Sequence, residues 1–292
     1  MSVKLAARPV RTRLIILAAV LALTGLLAAA GQAGSARAAT VRTEHAAAVT
    51  GSGSAKPTIV LVHGAWADSG SWNAVIGLLQ RAGYTVYAPP NPLEGLAIDT
   101  ATLADFLQHT ITGPVVLVGH SYGGEVITNA ATGDSRIKAL VYVDGYLPEQ
   151  GEDLVDLTTS GSCFAVQDRS TVFNLVPDPV SPSGTVAYVK PAVFPGCFAN
   201  GLPASAGAVL AATQRPLATS TFTDQSGVPA WQTIPSWDIV GTADHVITPA
   251  EQLFMANRAH AHITEINAPH LSMITDPGVV ASVIIQAAQA TS

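Results

Sequence analysis

The run at residues 114–131, PVVLVGHSYGGEVITNAA, leaves the chain few folds to choose from. Val115, Val116, Leu117 and Val118 form an uninterrupted apolar stretch, the composition of a strand buried on both faces in a parallel sheet. Gly119-His120-Ser121-Tyr122-Gly123, followed by Gly124, then turns the chain into an expected helix from Tyr122 to about Ala131. Glycines two places either side of a serine remove the side chains that would strike the adjoining strand and helix. The pattern G-x-S-x-G therefore puts Ser121 at the tip of a tight strand-to-helix turn. The amides and positive dipole end of the helix point at the same place and favour a developing negative charge. Ser121 is the first candidate nucleophile.

The rest of the chain supplies the sheet that such a turn needs. Residues 58–62 (TIVLV), 84–88, 137–143 (IKALVYV), 236–240 and 262–267 read as strands. They alternate with helical patterns at 71–81, 100–112, 249–259 and 277–290. Strands alternating with helices predict an α/β fold, a mostly parallel sheet with helices on both faces. The alternation fails between about Pro148 and Ala230, where prolines, glycines and both cysteines gather and periodicity is weak. That interruption is too long for a loop and is expected to be an inserted cap. The expected organisation is core at 57–147 and 231–292 with the cap at 148–230.

Residues 1–38 read as a signal peptide. Lys4, Arg8, Arg11 and Arg13 precede an uncharged apolar run at 14–30, and Ala36-Arg37-Ala38 offers a cleavage site. Residues 39–56, ending GSGSAKP, have the composition of a flexible leader. Cleavage near Ala38 would leave nine Lys and Arg against 20 Asp and Glu, a net −11. The expectation is a secreted protein, extracellular or in the cell envelope, with no stable membrane anchoring once the segment is cut. A chain so acidic is not built to hold nucleic acid or anionic lipid. In an exported chain the even pair Cys163 and Cys197 reads as a disulfide. No C-x-x-C or H-x-x-x-H spacing accompanies it, so no metal is expected.

A serine hydroxyl is a weak nucleophile until a base takes its proton and a third group orients that base. On a sheet entered through this kind of turn the order along the chain is serine, acid, histidine, each just past a strand end. His270, in Ala268-Pro269-His270, follows the last strand and every candidate acid. Asp244, four residues beyond the 236–240 strand, is the preferred acid. Asp144, at the end of the 137–143 strand, is its rival, and Asp238 lies inside a strand. The anionic intermediate needs donors set in advance. The backbone N–H of Tyr122 and of Ala65, in the turn after the first strand, are the candidates for that oxyanion hole. Trp66 and Tyr146 are expected to line the pocket, with Tyr122, Phe164, Phe194 and Phe198 nearby.

Taken together, HGAWADSGSW at 63–72, GHSYGG at 119–124, VYVDGYLP at 141–148, GTADHVITP at 241–249 and PHLSMITDP at 269–277 resemble the small-esterase branch of the α/β-hydrolase superfamily. Plant methylesterases and hydroxynitrile lyases belong to that branch. The resemblance implies a Ser121, Asp244, His270 triad, an oxyanion hole at Ala65 and Tyr122, and cofactor-free hydrolysis of small-molecule carboxylic esters through an acyl-enzyme. Hydroxynitrile lyases carry a lysine directly after the catalytic histidine. Here that position is Leu271, which argues against cyanohydrin chemistry. A cofactor-free perhydrolase or haloperoxidase-like enzyme would use the same residues, and a ligand-binding protein could keep the fold without turnover. The sequence leaves substrate and oligomeric state open.

Overall fold

The computed structural model describes residues 56–292. The expected signal peptide, and all of the expected leader but Lys56, lie outside the described residues. Lys56 is held to the core: its Nζ donates to the Ala82 carbonyl at 2.7 Å and sits 4.6 Å from the Tyr84 ring centroid.

The chain enters strand β1 (Thr58–Val62) and helix α1 (Asn73–Arg81). A separate 3-10 turn, Ser69–Trp72, precedes α1, and its cap is Asp68, whose Oδ1 accepts from the Gly70 N–H. The first two residues of the helical pattern expected at 71–81 therefore belong to that turn. Strand β2 is only Val86–Tyr87, and α2 (Leu96–Thr110) starts four residues before the expected Thr100. Strand β3 (Val115–His120), helix α3 (Tyr122–Ala130) and strand β4 (Ile137–Val143) follow. The inserted segment then contributes β5 (Phe173–Pro177), β6 (Thr185–Val189), α4 (Ala204–Thr213) and β7 (Leu217–Ala218). The chain returns through β8 (Ser236–Gly241), α5 (Pro249–Arg258), β9 (His262–Ile266), α6 (Ser272–Thr275) and α7 (Pro277–Ala290).

The main sheet has the order β2-β1-β3-β4-β8-β9, with every pairing parallel. The chain steps outward from β1 to β2 and then crosses to β3, beyond which it runs the other way. Right-handed crossovers consequently put α1 on one face and α2, α3 and α5 on the other. Helix α7 packs beside α1, and α2 beside α3. Between these layers Val115, Val116, Leu117 and Val118 are fully buried, which is why an all-apolar run suits β3 and an alternating one would not. Burying each such side chain contributes roughly 1.5–3 kcal/mol.

Register places the site. Val62 lies opposite Gly119, His120 opposite Val143, and Val143 opposite Ile239. The C-terminal ends of β1, β3, β4 and β8 thus form one rim, and the reversal of strand order falls between β1 and β3, where open α/β sheets present their binding crevice. The inserted segment supplies a second, antiparallel sheet of order β5-β6-β7.

Candidate active site

Gly119, Gly123 and Gly124 show why the serine turn is written as it is. A Cβ on Gly119 would lie 2.4 Å from the Gly123 carbonyl oxygen, one on Gly123 2.6 Å from that of Val62, and one on Gly124 2.6 Å from that of Tyr146. Strand, helix and the chain beyond β4 approach backbone to backbone. Ser121 itself has φ 53° and ψ −126°, a conformation that a non-glycine residue holds only when its surroundings enforce it. The enforcement is a set of hydrogen bonds: Ser121 N–H donates to the Val143 carbonyl at 3.3 Å, while the Ser121 carbonyl accepts from Gly124 N–H at 2.8 Å and Tyr146 N–H at 3.1 Å.

His270 Nε2 lies 3.0 Å from Ser121 Oγ, and His270 Nδ1 lies 2.8 Å from Asp244 Oδ2. The carboxylate accepts only, so Nδ1 carries the proton and Nε2 is free to accept from the hydroxyl. All three residues are buried. Asp244 is itself saturated. Its Oδ1 accepts from Val246 N–H at 2.6 Å and Ile247 N–H at 3.1 Å, and its Oδ2 accepts a second bond from Gln252 Nε2 at 2.8 Å. Gln252 in turn donates to the Ile247 carbonyl and accepts from Gly241 N–H, locking α5 to the end of β8.

The rival acids are elsewhere. Asp144 Oδ2 accepts from Ser272 N–H at 3.2 Å and its Oδ1 has no partner, while both oxygens of Asp238 are unpartnered inside β8. Burial pushes both carboxyls well above the usual carboxylate range, and for Asp144 the nearby Asp244 charge adds to the effect. The structure therefore brings Asp244, and neither of these, to the imidazole.

Two further histidines have defined structural work. His63 Nδ1–H donates to the Gly64 carbonyl, its Nε2 accepts from Asn91 N–H at 2.9 Å, and burial lowers its pKa to about 4. A neutral ring thus pins the turn after β1. His120 is buried at the end of β3, and its Nε2–H donates to the His270 carbonyl at 2.9 Å, so the spacer of the serine motif also holds the backbone of the candidate base. Burial and the adjacent His270 keep the His120 pKa well below its usual value.

Ala65, Trp66, Ser121, Tyr122 and Tyr146 all line one cavity of about 320 Å³. Neither the Ala65 nor the Tyr122 backbone N–H donates to another group among the described residues, so both are available where an oxyanion would form. A Cβ on Gly64 would lie 2.7 Å from Ser121 Cβ, which explains the glycine that lets the Ala65 turn come so close. Trp66 has φ 57°, and its Nε1–H donates to the Ala187 carbonyl at 3.0 Å. Tyr146 Oη lies 3.3 Å from Thr158 Oγ1.

The cap closes the cavity with Phe164, Phe173 and Phe222. Phe173 and Phe222 carry no motif and were not expected. Phe194 and Phe198 were expected near the pocket and instead stand behind the imidazole, Phe198 edge-on to His270 at 5.2 Å and Phe194 against Phe198 at 5.0 Å. They line a separate space of about 120 Å³ together with Trp66 and Leu271. Cys163 and Cys197 are joined, and Cys163 N–H donates to the His245 carbonyl at 2.8 Å. The disulfide thus joins two parts of the cap, and the Cys163 amide bonds that cap to the loop carrying Asp244. Gln252, His120 and Asp99, which accepts from Tyr122 Oη–H at 2.7 Å, are the supporting groups that motif reading missed. His120 and Asp99 are recognised only through partners distant in sequence, and Gln252 only once α5 folds back onto the Asp244 loop.

A hydroxyl that can lose its proton to a held imidazole, beside two free amides, can attack a carbonyl and hold the resulting oxyanion. Relatives agree with the scaffold. Residues 59–283 match the Alpha/beta hydrolase family. A carbendazim hydrolyzing esterase of Nocardioides sp. (strain SG-4G) is 36% identical over 110 residues, 34% of this chain and 46% of that one, so the match spans less than half of the relative's length. An extracellular α/β-hydrolase from a Paenibacillus species, described as sharing structural and functional homology with tobacco salicylic acid binding protein 2, superposes with a TM-score of 0.67 at 20% identity, covering 79% of this chain and 98% of that one. A pyrethroid hydrolase from Sphingobium faniae JZ-2 gives 0.63 at 21% identity, covering 80% and 98%. At such identities these two likenesses are of fold. The family match, by contrast, runs from β1 into α7 and takes in the serine turn and both partners of the imidazole: the chain belongs to the alpha/beta hydrolase family.

Proposed function

We propose that the protein is a serine hydrolase that cleaves small carboxylic esters through an acyl-enzyme. One observation carries the reading: the unbroken relay from Ser121 Oγ through His270 to Asp244, with distances of 3.0 and 2.8 Å. In the first half-reaction Ser121 Oγ bonds to the ester carbonyl carbon while His270 Nε2 takes the hydroxyl proton. The carbonyl oxygen becomes negative and is met by the Ala65 and Tyr122 amides. As the carbon–oxygen bond to the alcohol breaks, His270 returns its proton to the leaving oxygen. Water then enters with His270 again as base, releasing the acid and restoring Ser121. Asp244 stabilises the imidazolium without taking its proton. The esterase and hydrolase relatives support this chemistry, and the apolar cavity supports a hydrophobic substrate.

A fluorophosphonate probe tests the nucleophile directly, because it labels activated serines. Labelling should map to Ser121 and vanish in Ser121→Ala, whose ester turnover should fall by a factor on the order of 10⁴ or more with the thermal melt unchanged. Folded protein that turns over no ester and takes no label would reduce the site to ligand binding. Export belongs to the same proposal. It is supported by the basic and apolar order of residues 1–38, and N-terminal sequencing of protein from a culture medium, expected to begin near Ala39, tests it.

A further inference from the structure

Among the residues lining the 320 Å³ cavity, Arg169 alone carries a formal charge at neutral pH. Its surroundings are aromatic: Arg169 Cζ lies 4.6 Å from the Phe222 ring centroid, which is 5.5 Å from Phe173 and 6.3 Å from Trp66, the residue next to the Ala65 amide. The other partly buried arginines are spoken for. Arg136 pairs with Asp134, Arg258 with Glu152, and Arg215 donates to the Asn91 and Pro92 carbonyls. Arg169, half-buried, makes neither an ion pair nor a hydrogen bond through its guanidinium among the described residues. Its backbone is fixed by the turn Arg169–Thr171, capped by Asp168, whose Oδ1 accepts from Ser170 N–H rather than reaching the guanidinium.

A guanidinium is a planar fork of donors that fits a carboxylate with two parallel hydrogen bonds, and its contact with the Phe222 ring, 4.6 Å from the centroid, restrains Arg169 beside the cavity beforehand. A ligand that fills the cavity also takes water from Arg169. If the ligand is neutral the donors are left unpaired, which costs binding, and if it carries an anion they are satisfied. The same asymmetry lets a polar site reject an analogue that lacks the matching group.

We propose that Arg169 is an anion subsite and that the substrate is an ester which carries, besides the bond to be cleaved, a carboxylate. Its apolar body lies along Trp66, Phe173 and Phe222 while the carboxylate docks on Arg169. The anion is a spectator of the hydrolysis proposed above, on which this inference rests for the word substrate.

Two substrate pairs test it, each matching a charged ester with a neutral one. The acyl-side pair is p-nitrophenyl hemiglutarate and p-nitrophenyl hexanoate. The alcohol-side pair is 4-acetoxybenzoate and 4-methylphenyl acetate. Comparing the wild type with Arg169→Gln for each compound cancels intrinsic reactivity. In one pair the charged member should lose at least about tenfold in kcat/KM, chiefly through KM, and the neutral member under about threefold, with Arg169→Lys restoring part of the loss. Equal loss for charged and neutral esters would make Arg169 a packing partner of Phe222, and no loss in either pair would remove it from substrate recognition. Both results overturn the proposal. If the wild type cleaves no ester at all, the hydrolase reading fails, and the subsite is judged by calorimetry on Ser121→Ala. There 4-phenylbutanoate should bind about tenfold more tightly than 4-phenylbutanamide, and the difference should vanish with Arg169→Gln. Equal binding of acid and amide refutes the subsite on its own.

Discussion

Replacing Asp244 by Asn should do far more harm than the same change at Asp144, and the hydrogen bonds say why. At residue 244, Oδ2 receives two donors, His270 Nδ1–H and Gln252 Nε2–H, and Oδ1 receives two more from the Val246 and Ile247 amides. An asparagine has one oxygen to offer. If its NH₂ faces His270, the single Gln252 Nε2–H meets a donor, and the imidazole must accept at Nδ1 and carry its proton on Nε2, where it cannot take the proton of Ser121. If it faces Val246 and Ile247, two buried amides meet a donor, at about 1–3 kcal/mol each. The first orientation is the cheaper, and holding the wrong tautomer costs on the order of 10⁴ in kcat. Asp144 is different. Burial and the Asp244 charge push its pKa well above the usual carboxylate range, so a neutral amide suits the site: Asn keeps the acceptor toward Ser272 N–H and tolerates φ 45° at least as well. Asp144→Asn should keep kcat/KM within about threefold. The assay is p-nitrophenyl acetate hydrolysis with circular dichroism to confirm folding. Asp244→Asn retaining a tenth of wild-type activity, or Asp144→Asn proving the worse of the two, would refute the placement of the acid.

Other expectations follow from the same contacts. Gly119→Ala must move the Gly123 backbone from 2.4 Å. It should lose about 3 kcal/mol, or roughly 6–12 °C of Tm by calorimetry, and labelling at Ser121 should fall with it. Burial raises the Asp99 pKa to about 6 despite its bond to Tyr122. Because the folded state holds a proton that the unfolded chain releases near pH 4, this group's stabilisation is complete below about pH 4 and is lost as pH rises through about 6. Thermal melts between pH 4 and 7 should therefore show the wild type losing stability that Asp99→Asn does not lose. Opening the disulfide releases a span of 34 residues, up to about 4 kcal/mol in the chain-entropy model. The reduced protein should show higher KM and new protease cuts between Cys163 and Cys197 while Ser121 still labels with fluorophosphonate. Unchanged KM and digestion on reduction would count against a stapled cap.

The ends of β1, β4 and α7 coincide with their sequence signals because each is bounded by a turn residue and carries an unambiguous apolar run. The start of α2 was obscure because no Ser, Thr or Asp caps it. Gly95 stands there with φ 113°, and its first turn contains Asp99, a residue that looks exposed in sequence and is buried against Tyr122. The antiparallel sheet of the cap was not legible: β7 is two residues long, and β5 ends at Pro177 with four of its five side chains exposed. No period survives in strands like these. Ser121, Asp244 and His270 could be read because chain order and strand ends restrict them. Gln252 and Arg169 could not, since their significance lies in what they touch or fail to touch across the fold.

The placement of β9 bears on how long the protein stays functional. Among the described residues this strand pairs on one side only, with β8, and none of its five side chains is fully buried. His270 follows it by four residues, and Thr242 N–H to the Ile266 carbonyl and Ala243 N–H to the Ala268 carbonyl join its end to the Asp244 loop. An edge strand opens at a lower free energy than the centre of a sheet. Each such fraying event would separate the imidazole from the acid while β1, β3 and β4 remain folded around Ser121. Functional half-life is then governed by the breathing of one margin of the sheet, and hydrogen exchange at Thr264 and Ile266 would track inactivation more closely than the exchange of the protected core.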